Sequence, residues 1–427
     1  MNSRTPSLTS FVLLMAILAC GPLASPTSSP LATSVTHTQP PSPEVPSPTL
    51  AAVLSAPTAE PSPTHAAPQP AAAAHFRAGD PVQLDSISMI SRTEGWGLSG
   101  SYVLTTVDGG QTWREATPPQ SSQPGTQTHA YGAFLDAETA WIVFAEDGHI
   151  LAEASVWNTT DAGRTWTPGA PLFHQAIGDS VWAEFAVLDA RNVWVMMRGV
   201  YVGAGTHYNH ELFQTTDGGL TWTSLDGEIS SNYTGMVFAD TAFGLRTLQT
   251  TGAYAASPPA YDVTTDGGVT WEGRELPPPP EAPELFTQYP YCETYQPVVL
   301  SIQAIRMLVG CFDYYDPPRE SVSYFYSTQN GGASWSTVRL PDTVRAADDR
   351  LIWFGLNNAL LLGREMYLST SDGQAWSFVK TVNWDGQFTF SDPEYGWAIV
   401  RSDGEVALVQ TMDWAATWSV IKPTITR

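Results

Sequence analysis

Carboxylates that recur along the chain are the first residues whose type and spacing could do chemistry. Four near-identical octapeptides read Thr-x-Asp-x-Gly-x-Thr-Trp, and three weaker copies follow. An Asp in this setting can accept hydrogen bonds from amides of its own turn, and glycines allow the positive φ angles of such a turn. We therefore interpret these residues as structural turn residues and not as catalytic acids. They are Asp108, Asp161, Asp217, Asp266, Asn330, Asp372 and Asp413, and the copy around Asp372 reads as one residue shorter.

Aromatic and imidazole side chains form a second group of candidates. They fall in long, irregular segments between the repeats, and Tyr rings offer both an apolar face and a hydroxyl to a protein or a sugar. We predict that they form a binding surface, while for any single Tyr simple packing of the loop onto the scaffold is the alternative. The set is Tyr201, His207, Tyr208, His210, Tyr254, Tyr289, Tyr291, Tyr295, Tyr314 and Tyr315.

No residue pattern predicts a metal, a cofactor or a catalytic constellation. Two imidazoles and a carboxylate occur in the segment from His207 to Glu211, but their spacing is not that of a helical metal pair and the segment reads as a loop. Asp313, Asp316 and Glu320 lack the order of a calcium-binding loop. We interpret both groups as solvated loop residues.

The repeats indicate the elements that must position these side chains. Upstream of each octapeptide lies a strand, a tight polar turn and a second apolar strand, as in Phe134-Leu-Asp-Ala-Glu-Thr-Ala-Trp141. The octapeptide Trp recurs at intervals of roughly 40 to 65 residues, which suits one four-stranded blade per repeat. The sequence predicts an all-β fold, a seven-bladed β-propeller of four-stranded antiparallel blades over residues 76–427.

These motifs resemble the BNR or Asp-box propellers, and most closely the photosystem II assembly and stability factor family. That resemblance implies assembly or stabilisation of a membrane complex. The same box occurs in sialidases and sortilin-type receptors, so a sialidase-like exo-glycoside hydrolase is the alternative function. Sialidases usually have six blades and an Arg-Ile-Pro segment that this chain lacks, and Arg198, Arg246 and Arg306 share no common register. No Tyr and Glu pair stands out as a nucleophile.

Connection lengths separate two faces of the predicted propeller. The A–B turn and the octapeptide C–D turn lie on one rim and are uniformly short. The B–C and D–A connections lie on the other rim and are long and variable, which is where binding usually resides. The long segments are residues 146–155, 199–211, 249–261, 277–297 and 312–321.

Two cysteines fall on the long-loop rim of the fifth blade. Cys292 precedes its first predicted strand and Cys311 ends its second. In an exported protein these residues would pair as a disulfide and clamp the longest D–A loop. Two buried free thiols are the alternative.

The amino terminus reads as an export signal. A positive start and the apolar run from Phe11 to Ala19 predict a signal peptide over residues 1–19, and Ile17-Leu-Ala-Cys20 resembles the lipobox of bacterial lipoproteins, with lipid on Cys20. An ordinary secretory signal with an incidental Cys is the alternative. Residues 20–75, rich in Pro, Ser, Thr and Ala, predict a disordered tether.

Charge restricts the partners. The formal net charge is −23, and Lys380 and Lys422 are the only lysines, so the chain is unsuited to binding nucleic acid. We expect a monomeric, extracytoplasmic lipoprotein that touches the membrane only through its lipid. Its predicted function is that of a non-catalytic scaffold that binds a protein or a cell-wall glycan through the long-loop rim.

Overall fold

The computed structural model describes residues 66–119, 127–173, 179–202, 207–230, 233–249, 258–289, 291–313 and 321–426. The predicted signal peptide, Cys20 and most of the predicted tether lie outside the described residues. Within them the strands form seven sheets, each with four consecutive antiparallel strands of the chain, and two of the sheets have one further strand at the outer edge. The predicted seven-bladed β-propeller is therefore confirmed.

A short strand, β1 (Gln69–Pro70), precedes the blades. Blade 1 contains β2 (Ser86–Met89), β3 (Gly95–Ser99), β4 (Tyr102–Thr106) and β5 (Thr112–Glu115). Blade 2 contains β6 (Gln127–Phe134), β7 (Thr139–Glu146), β8 (Ser155–Thr160) and β9 (Thr165–Pro171). Blade 3 contains β10 (Ser180–Val187), β11 (Val193–Val202), β12 (His207–Thr215) and β13 (Thr223–Ser230). Blade 4 contains β14 (Tyr233–Phe238), β15 (Gly244–Leu248), β16 (Ala260–Thr264) and β17 (Glu272–Glu275).

The short helix α1 (Leu285–Gln288) leads into the remaining blades. Blade 5 contains β18 (Tyr291–Val299), β19 (Ile305–Phe312), β20 (Ser321–Thr328) and β21 (Ser336–Arg339). Blade 6 contains β22 (Arg350–Phe354), β23 (Asn358–Leu362), β24 (Glu365–Ser369) and β25 (Ser377–Thr381). Blade 7 contains β26 (Asp385–Phe390), β27 (Gly396–Ser402), β28 (Glu405–Thr411) and β29 (Ser419–Ile421), and β30 (Thr424–Ile425) ends the chain.

The first strand of each blade is its inner strand. Inner strands of neighbouring blades contact one another, as β6 with β10, β10 with β14 and β26 with β2. Apolar clusters fill the spaces between blades; one, between blades 2 and 3, includes Trp141, Val195 and Phe213. Burial of one such side chain contributes roughly 1.5 to 3 kcal/mol. No helix among the described residues has the length and apolar character needed to cross a membrane.

Each octapeptide turn is held by its own side chains. In blade 1 the Thr106 hydroxyl donates to Asp108 Oδ1 at 3.0 Å, and the same oxygen accepts from the amides of Gln111 and Thr112 at 3.1 and 2.8 Å. Gly109 has a φ of +76°, the left-handed conformation that glycine adopts without strain. The remaining Asp residues of the full-length copies and Asn330 make the equivalent bonds; these are Asp161, Asp217, Asp266 and Asp413.

Indole groups join each of several blades to the next. Trp141 on β7 donates from Nε1 to the carbonyl of Gly218 in the octapeptide turn of blade 3, at 2.9 Å. Trp397 on β27 donates in the same way to Gly109 of blade 1, at 2.9 Å, and so helps to close the ring. The Trp on the second strand is therefore a part of the fold that acts across the blade interface.

Blade 5 replaces this contact with an ion pair. Ile305 pairs with Thr328 as Ala140 pairs with Thr159 in blade 2, so Arg306 stands where blade 2 has Trp141. The Arg306 guanidinium is 2% exposed and donates from Nε to Asp372 Oδ1 of blade 6 at 2.7 Å. A charged pair thus takes the place of an indole and a carbonyl.

The octapeptide of blade 6 is full-length, and its prediction from the sequence was wrong. The amide of Ala375 donates to Ser371 Oγ at 3.0 Å and the amide of Gly373 donates to Ser369 Oγ at 3.0 Å, so Ser371 holds the place that Asp has in other blades. Asp372 occupies the first glycine position, with a φ of +57°. The sequence prediction aligned Asp372-Gly373 with the Asp-Gly pair of the other octapeptides, which shifted the register by one residue. Ser and Thr hydroxyls can accept the same turn hydrogen bonds as Asp.

The ring closes through the carboxyl-terminal strand. β30 pairs in parallel with β5, the outer strand of blade 1. Residues 76–84 add no strand to blade 7; they lie against β30, where the Val82 amide donates to the Pro423 carbonyl at 3.1 Å. β1 pairs with β9 at the outer edge of blade 2, so ordered structure begins several residues before the predicted start at residue 76.

Candidate functional site

The predicted two faces are present in the structure. The A–B turn and the octapeptide turn of one blade are hydrogen-bonded to each other, as in blade 1, where the Gly109 amide donates to the Thr93 carbonyl at 2.8 Å. We call this side the short-turn face and the opposite side the loop face. The loop face carries the B–C and D–A connections.

A cleft of about 300 Å³ opens on the loop face over the inner ends of blades 4, 5 and 6. We call it the loop-face cleft. Its wall combines aromatic rings, hydroxyl groups, an amide and charged side chains, which is the mixture expected of a binding site. The lining residues include Gln249, Glu293, Tyr295, Phe312, Ser321, Ser323, Arg345 and Asp348.

Glu293 is the buried acid of this cleft. Its side chain is 1% exposed, and its carboxylate accepts hydrogen bonds from the Tyr295 hydroxyl and from Gln249. Burial disfavours the charged form and raises the pKa of Glu293 to about 7, and the two hydrogen bonds offset part of that shift. The cleft therefore contains a carboxyl group that changes charge near neutral pH.

A disulfide fixes the strands that carry this acid. Cys292 and Cys311 are paired partners on β18 and β19 and form an S–S bond of 2.05 Å, with their Cα atoms 4.1 Å apart. On the adjacent rung Tyr291 and Phe312 stack, with ring centroids 6.0 Å apart. Covalent and aromatic contacts thus hold the floor of the cleft at the loop-face end of blade 5.

The opposite wall is the segment that joins blade 5 to blade 6. Ser323 Oγ donates to the Val344 carbonyl at 2.9 Å and accepts from the Ala346 amide at 3.2 Å, which ties the segment to β20. The Arg345 amide donates to Asp349 Oδ2 at 2.8 Å. Burial raises the pKa of Asp349 to about 6. The wall is therefore an ordered structure with a second acid of raised pKa.

A second groove of about 650 Å³ continues the cleft toward blade 7. The two spaces share Arg345, Ala347 and Asp348. At its far side Arg364 makes two hydrogen bonds of 2.8 Å to Asp385. The two spaces together form one continuous open trough.

A third acid of raised pKa lies nearer the middle of the inner strands. Glu184 on β10 accepts a hydrogen bond from the Met236 amide of blade 4, and burial raises its pKa to about 7, opposed by the charges of Arg350 and Arg198. Arg350 stands at the equivalent level of β22. Arg350 pairs with Leu362 on the second strand of blade 6, as Glu184 pairs with Met196 on the second strand of blade 3. Burial lowers the pKa of Arg350, and the Glu184 charge opposes that shift.

The structure brings part of the predicted tyrosine set to this site. Tyr295 lines the loop-face cleft, Tyr291 lies beside it, and Tyr289 follows α1 and packs partly buried against the core of blades 4 and 5. Tyr291 and Tyr295 lie on the inner strand β18 and not in a loop as predicted. Alternating apolar residues were too few there to indicate a strand.

The predicted loop at residues 199–211 is mostly a β-ladder. Tyr201 pairs with Tyr208 and Val202 with His207, so these residues belong to β11 and β12. His210 is 1% exposed and contacts the Tyr233 ring edge-on at 4.9 Å. The placement of His210 on an open binding loop was therefore wrong, because the polar side chain is accommodated by an aromatic neighbour inside the blade interface.

Other predicted site residues are not placed. Tyr254, Tyr314, Tyr315, Asp316 and Glu320 lie outside the described residues. For Tyr201, His207 and Tyr208 the structure gives the backbone pairing alone. In the described part of the chain, no three His, Cys, Asp or Glu side chains are arranged to hold a metal ion.

Sequence reasoning missed the acids of the inner strands. Glu184 interrupts a mainly apolar strand, and a charged residue within such a strand was the available signal. Glu293 lies in a strand that also contains Thr294 and Gln296, so no comparable signal marked it. Of the three arginines weighed for a sialidase site, Arg246 is paired with Asp262 at 2.8 Å and Arg306 with Asp372, so both are engaged in buried ion pairs.

Fold and site together define the class: a seven-bladed β-propeller with a polar and aromatic cleft on its loop face. No family model matches the chain. A curated xyloglucanase from a Paenibacillus species is 25% identical over 171 residues, a match that covers 35% of this chain and 16% of the length of that enzyme.

Solved structures with a similar fold include YCF48 bound to a D1 peptide, with a TM-score of 0.48 and 18% identity, covering 80% of this chain and 99% of that chain. YCF48 from Cyanidioschyzon merolae has a TM-score of 0.47 and 15% identity over 78% and 99% of the two chains. The GH74 enzyme of Niastella koreensis has a TM-score of 0.33 and 13% identity over 79% and 62%. Structural neighbours thus include the photosystem II assembly factor YCF48 and β-propeller glycoside hydrolases.

Proposed function

We propose that this protein is a non-catalytic binding module that holds a partner protein or glycan in the loop-face cleft. The observation that carries the proposal is the cleft itself, an ordered trough with aromatic and polar walls on the face of the long connections. The propeller supplies a rigid scaffold, and the partner supplies the extended segment.

The cleft offers contacts of three kinds. Phe312 and Tyr295 present partly exposed rings for stacking. Ser321 Oγ is buried in the wall without a hydrogen-bond partner among the described residues, and such a group is costly unless a ligand satisfies it. Arg345 is exposed and can meet an acceptor of the partner.

The location belongs to the same proposal. We infer that the protein is exported, cleaved before Cys20 and anchored to the cell envelope through lipid on that residue, with the following segment as its tether. The supporting observation is the apolar run that ends in Ile17-Leu-Ala-Cys20. Metabolic labelling with a palmitate analogue should mark the wild-type chain and not Cys20→Ala, and equal labelling of the two would contradict the anchor.

The binding test uses two matched aromatic substitutions. Phe312 lines the cleft, and Phe378 is a 57% exposed ring on the outer strand of blade 6. A capture experiment on native envelope extracts with the full-length chain, followed by binding measurements with the purified partner or glycan, should show weaker binding by Phe312→Ala and unchanged binding by Phe378→Ala. Equal binding by all three proteins would remove the cleft from the function.

A second candidate function is favoured by one specific contact. Tyr295 donates its hydroxyl hydrogen bond to Glu293 in the cleft, and a Tyr with an adjacent carboxylate is the pair that a sialidase-like hydrolase uses as nucleophile and base. A fluorogenic sialoside assay distinguishes the two functions. Turnover that is lost in both Tyr295→Phe and Glu293→Gln would establish the hydrolase, while rates equal to a protein-free blank would leave the binding module.

A further inference from the structure

The short-turn face has one sector whose chemistry differs from the rest. It consists of the A–B turns and octapeptide turns of blades 5 and 6, which we call the neutral sector. Three of its apolar side chains are open to solvent: Leu300 is 38% exposed, Ile302 47% and Leu356 74%. Exposed apolar groups in a cluster mark interaction surfaces more often than single ones do.

The neutral sector is continuous. The amide of Gly331 donates to the Gln303 carbonyl at 3.0 Å, which joins the A–B turn of blade 5 to its octapeptide turn. Gln329 Nε2 donates to Asp372 Oδ2 at 3.2 Å and so joins the octapeptide turns of blades 5 and 6. The Asp372 amide donates to the Asn357 carbonyl at 3.0 Å, which reaches the turn that carries Leu356.

Neutral side chains replace carboxylates in the turns of this sector and accept the same hydrogen bonds. Ser301 Oγ accepts from the Ala304 amide at 3.1 Å, as Asp240 Oδ1 accepts from the Phe243 amide at 2.7 Å in blade 4. Asn330 Oδ1 accepts from the Ser334 amide, as Asp266 Oδ1 accepts from the Thr270 amide in blade 4. The single carboxylate of the sector, Asp372, is bonded to the buried guanidinium of Arg306, so the pair adds no net charge.

Blades 2, 3, 4 and 7 have Asp at both of these turn positions, and blade 1 has Ser91 at the first of them but adds Glu94 to the same turn. Each has at least two on this face: Glu94 and Asp108, Asp136 and Asp161, Asp189 and Asp217, Asp240 and Asp266, and Asp392 and Asp413. In blade 4, which adjoins the sector, Asp240 and Asp266 are exposed and have no ion-pair partner among the described residues. Hydrogen bonds from Thr270 and Thr264 lower the pKa of Asp266 to about 2, so it stays charged.

We propose that the neutral sector is a second docking surface, which receives a cationic amphipathic segment of a partner protein. The apolar side of the segment would cover Leu300, Ile302 and Leu356 without burying an unpaired charge, which avoids the main cost of such an interface. Its basic side chains would meet Asp240 and Asp266 of blade 4 and the field of a chain with net charge −23. The protein then has two separate binding faces.

The test uses a synthetic probe helix with leucines on one side and lysines on the other, and fluorescence anisotropy with the full-length chain. Ile302→Ser combined with Leu356→Ser removes exposed apolar surface and should weaken binding by roughly tenfold. Val107→Ser is the matched control, because Val107 is 75% exposed on the same face but lies in the acidic sector of blade 1. It should change the dissociation constant by less than about twofold.

Equal losses in the double variant and in Val107→Ser would overturn the proposal, because binding would then follow exposed apolar surface in general. Unchanged binding in both would also overturn it, because binding would then follow charge alone. Asp266→Asn should reduce the salt dependence of probe binding while leaving the apolar contribution in place. If the wild type sediments as a dimer and the Ile302→Ser, Leu356→Ser variant sediments as a monomer, then the occupant of the surface is a second copy of this chain and the proposed partner segment is wrong. If the wild type floats with neutral lipid vesicles and the same double variant does not, then the surface binds a membrane and the proposed partner segment is wrong. Phe312→Ala should leave all of these measurements unchanged.

Discussion

The octapeptide carboxylates of the short-turn face and the buried carboxylates of the loop-face cleft have pKa values shifted in opposite directions. On the short-turn face they stand at exposed turn tips, and hydrogen bonds from Thr side chains and backbone amides lower the pKa of Asp266 to about 2. On the loop face two of them are buried, Glu293 near the start of β18 and Asp349 just before β22, and burial raises the pKa of Glu293 to about 7 and of Asp349 to about 6. Solvation, and not residue type, decides which acids are structural and which are poised to respond to pH.

One carboxylate of the short-turn face, Asp372, differs from the others because it pairs with a buried guanidinium. Between blades 5 and 6 an Arg and an Asp replace the Trp and the Gly carbonyl that blades 2, 3 and 7 use. A buried ion pair costs desolvation that an indole does not, so this contact depends on both partners being present.

The largest effect is expected at that pair. Arg306→Ala leaves Asp372 without its buried partner and should lower the free energy of unfolding by about 3 to 5 kcal/mol. Arg306→Trp with Asp372→Gly recreates the contact that blades 2, 3 and 7 make and should recover most of that loss. Thermal and urea unfolding of the three proteins measure this directly. If the double swap is no more stable than Arg306→Ala, then the equivalence with the Trp contact is wrong.

On the loop face the disulfide gives the next largest effect. Cys292 and Cys311 are separated by 19 residues, and closing a loop of that size stabilises a protein by roughly 3 kcal/mol. Replacing both cysteines by Ser should lower the urea midpoint accordingly and should weaken ligand binding in the cleft. Wild-type protein treated with a reductant is the control for the substitution itself. An unchanged midpoint in both would mean that the strands hold the cleft without the bond.

The pH dependence of stability tests the contrast between the faces. Because the folded pKa of Glu293 lies near 7, above its ordinary value of 4.5, folding takes up a proton between these two values. The contribution of Glu293 is therefore fully present below about pH 4.5 and is lost as the pH rises through 7, by roughly 2 to 3 kcal/mol. Urea unfolding of wild type and Glu293→Gln between pH 4.5 and 8 measures the difference.

Glu293→Gln keeps the shape of the side chain but does not titrate, so its stability should vary less with pH over that range. Asp266→Asn serves as the control from the short-turn face. Because the Asp266 pKa is held near 2, this substitution should leave the pH dependence above 4.5 as it is in wild type. Parallel curves for wild type and Glu293→Gln would contradict the raised pKa.

Sequence patterns predicted the parts of this molecule that repeat. The second-strand Trp recurs in blades 1, 2, 3 and 7, and the octapeptide, which recurs in every blade, carries its hydrogen-bond partners within itself. The blade count and the turn role of Asp108 therefore follow from local residues. The shifted assignment of Asp372 shows the limit of that reasoning. Its partner Arg306 is 66 residues away, and no local pattern links the two.

The cleft escaped prediction for a similar reason. Glu293 has its raised pKa because of what surrounds it in three dimensions, including Gln249 from the preceding blade. Tyr295 was predicted as a binding residue, but on a loop; the strand pairing that places it beside Glu293 depends on the partner strand β19. Non-local burial and pairing therefore decided the chemistry of the site, while local turns decided the fold.

The smallest expected effect comes from comparing two substitutions of one turn Asp. Asp266 accepts from the Thr270 amide at 2.9 Å and from its hydroxyl at 2.6 Å, and Asn330 of blade 5 shows that an amide side chain holds the same turn. Asp266→Asn should therefore leave the urea midpoint nearly unchanged, whereas Asp266→Ala removes the acceptor of the turn amides and should lower the midpoint clearly more. Urea unfolding at neutral pH measures both. A loss in Asp266→Asn as large as in Asp266→Ala would mean that the turn needs the charge, and the neutral turns of blades 5 and 6 would then have to be stabilised from outside by their packing.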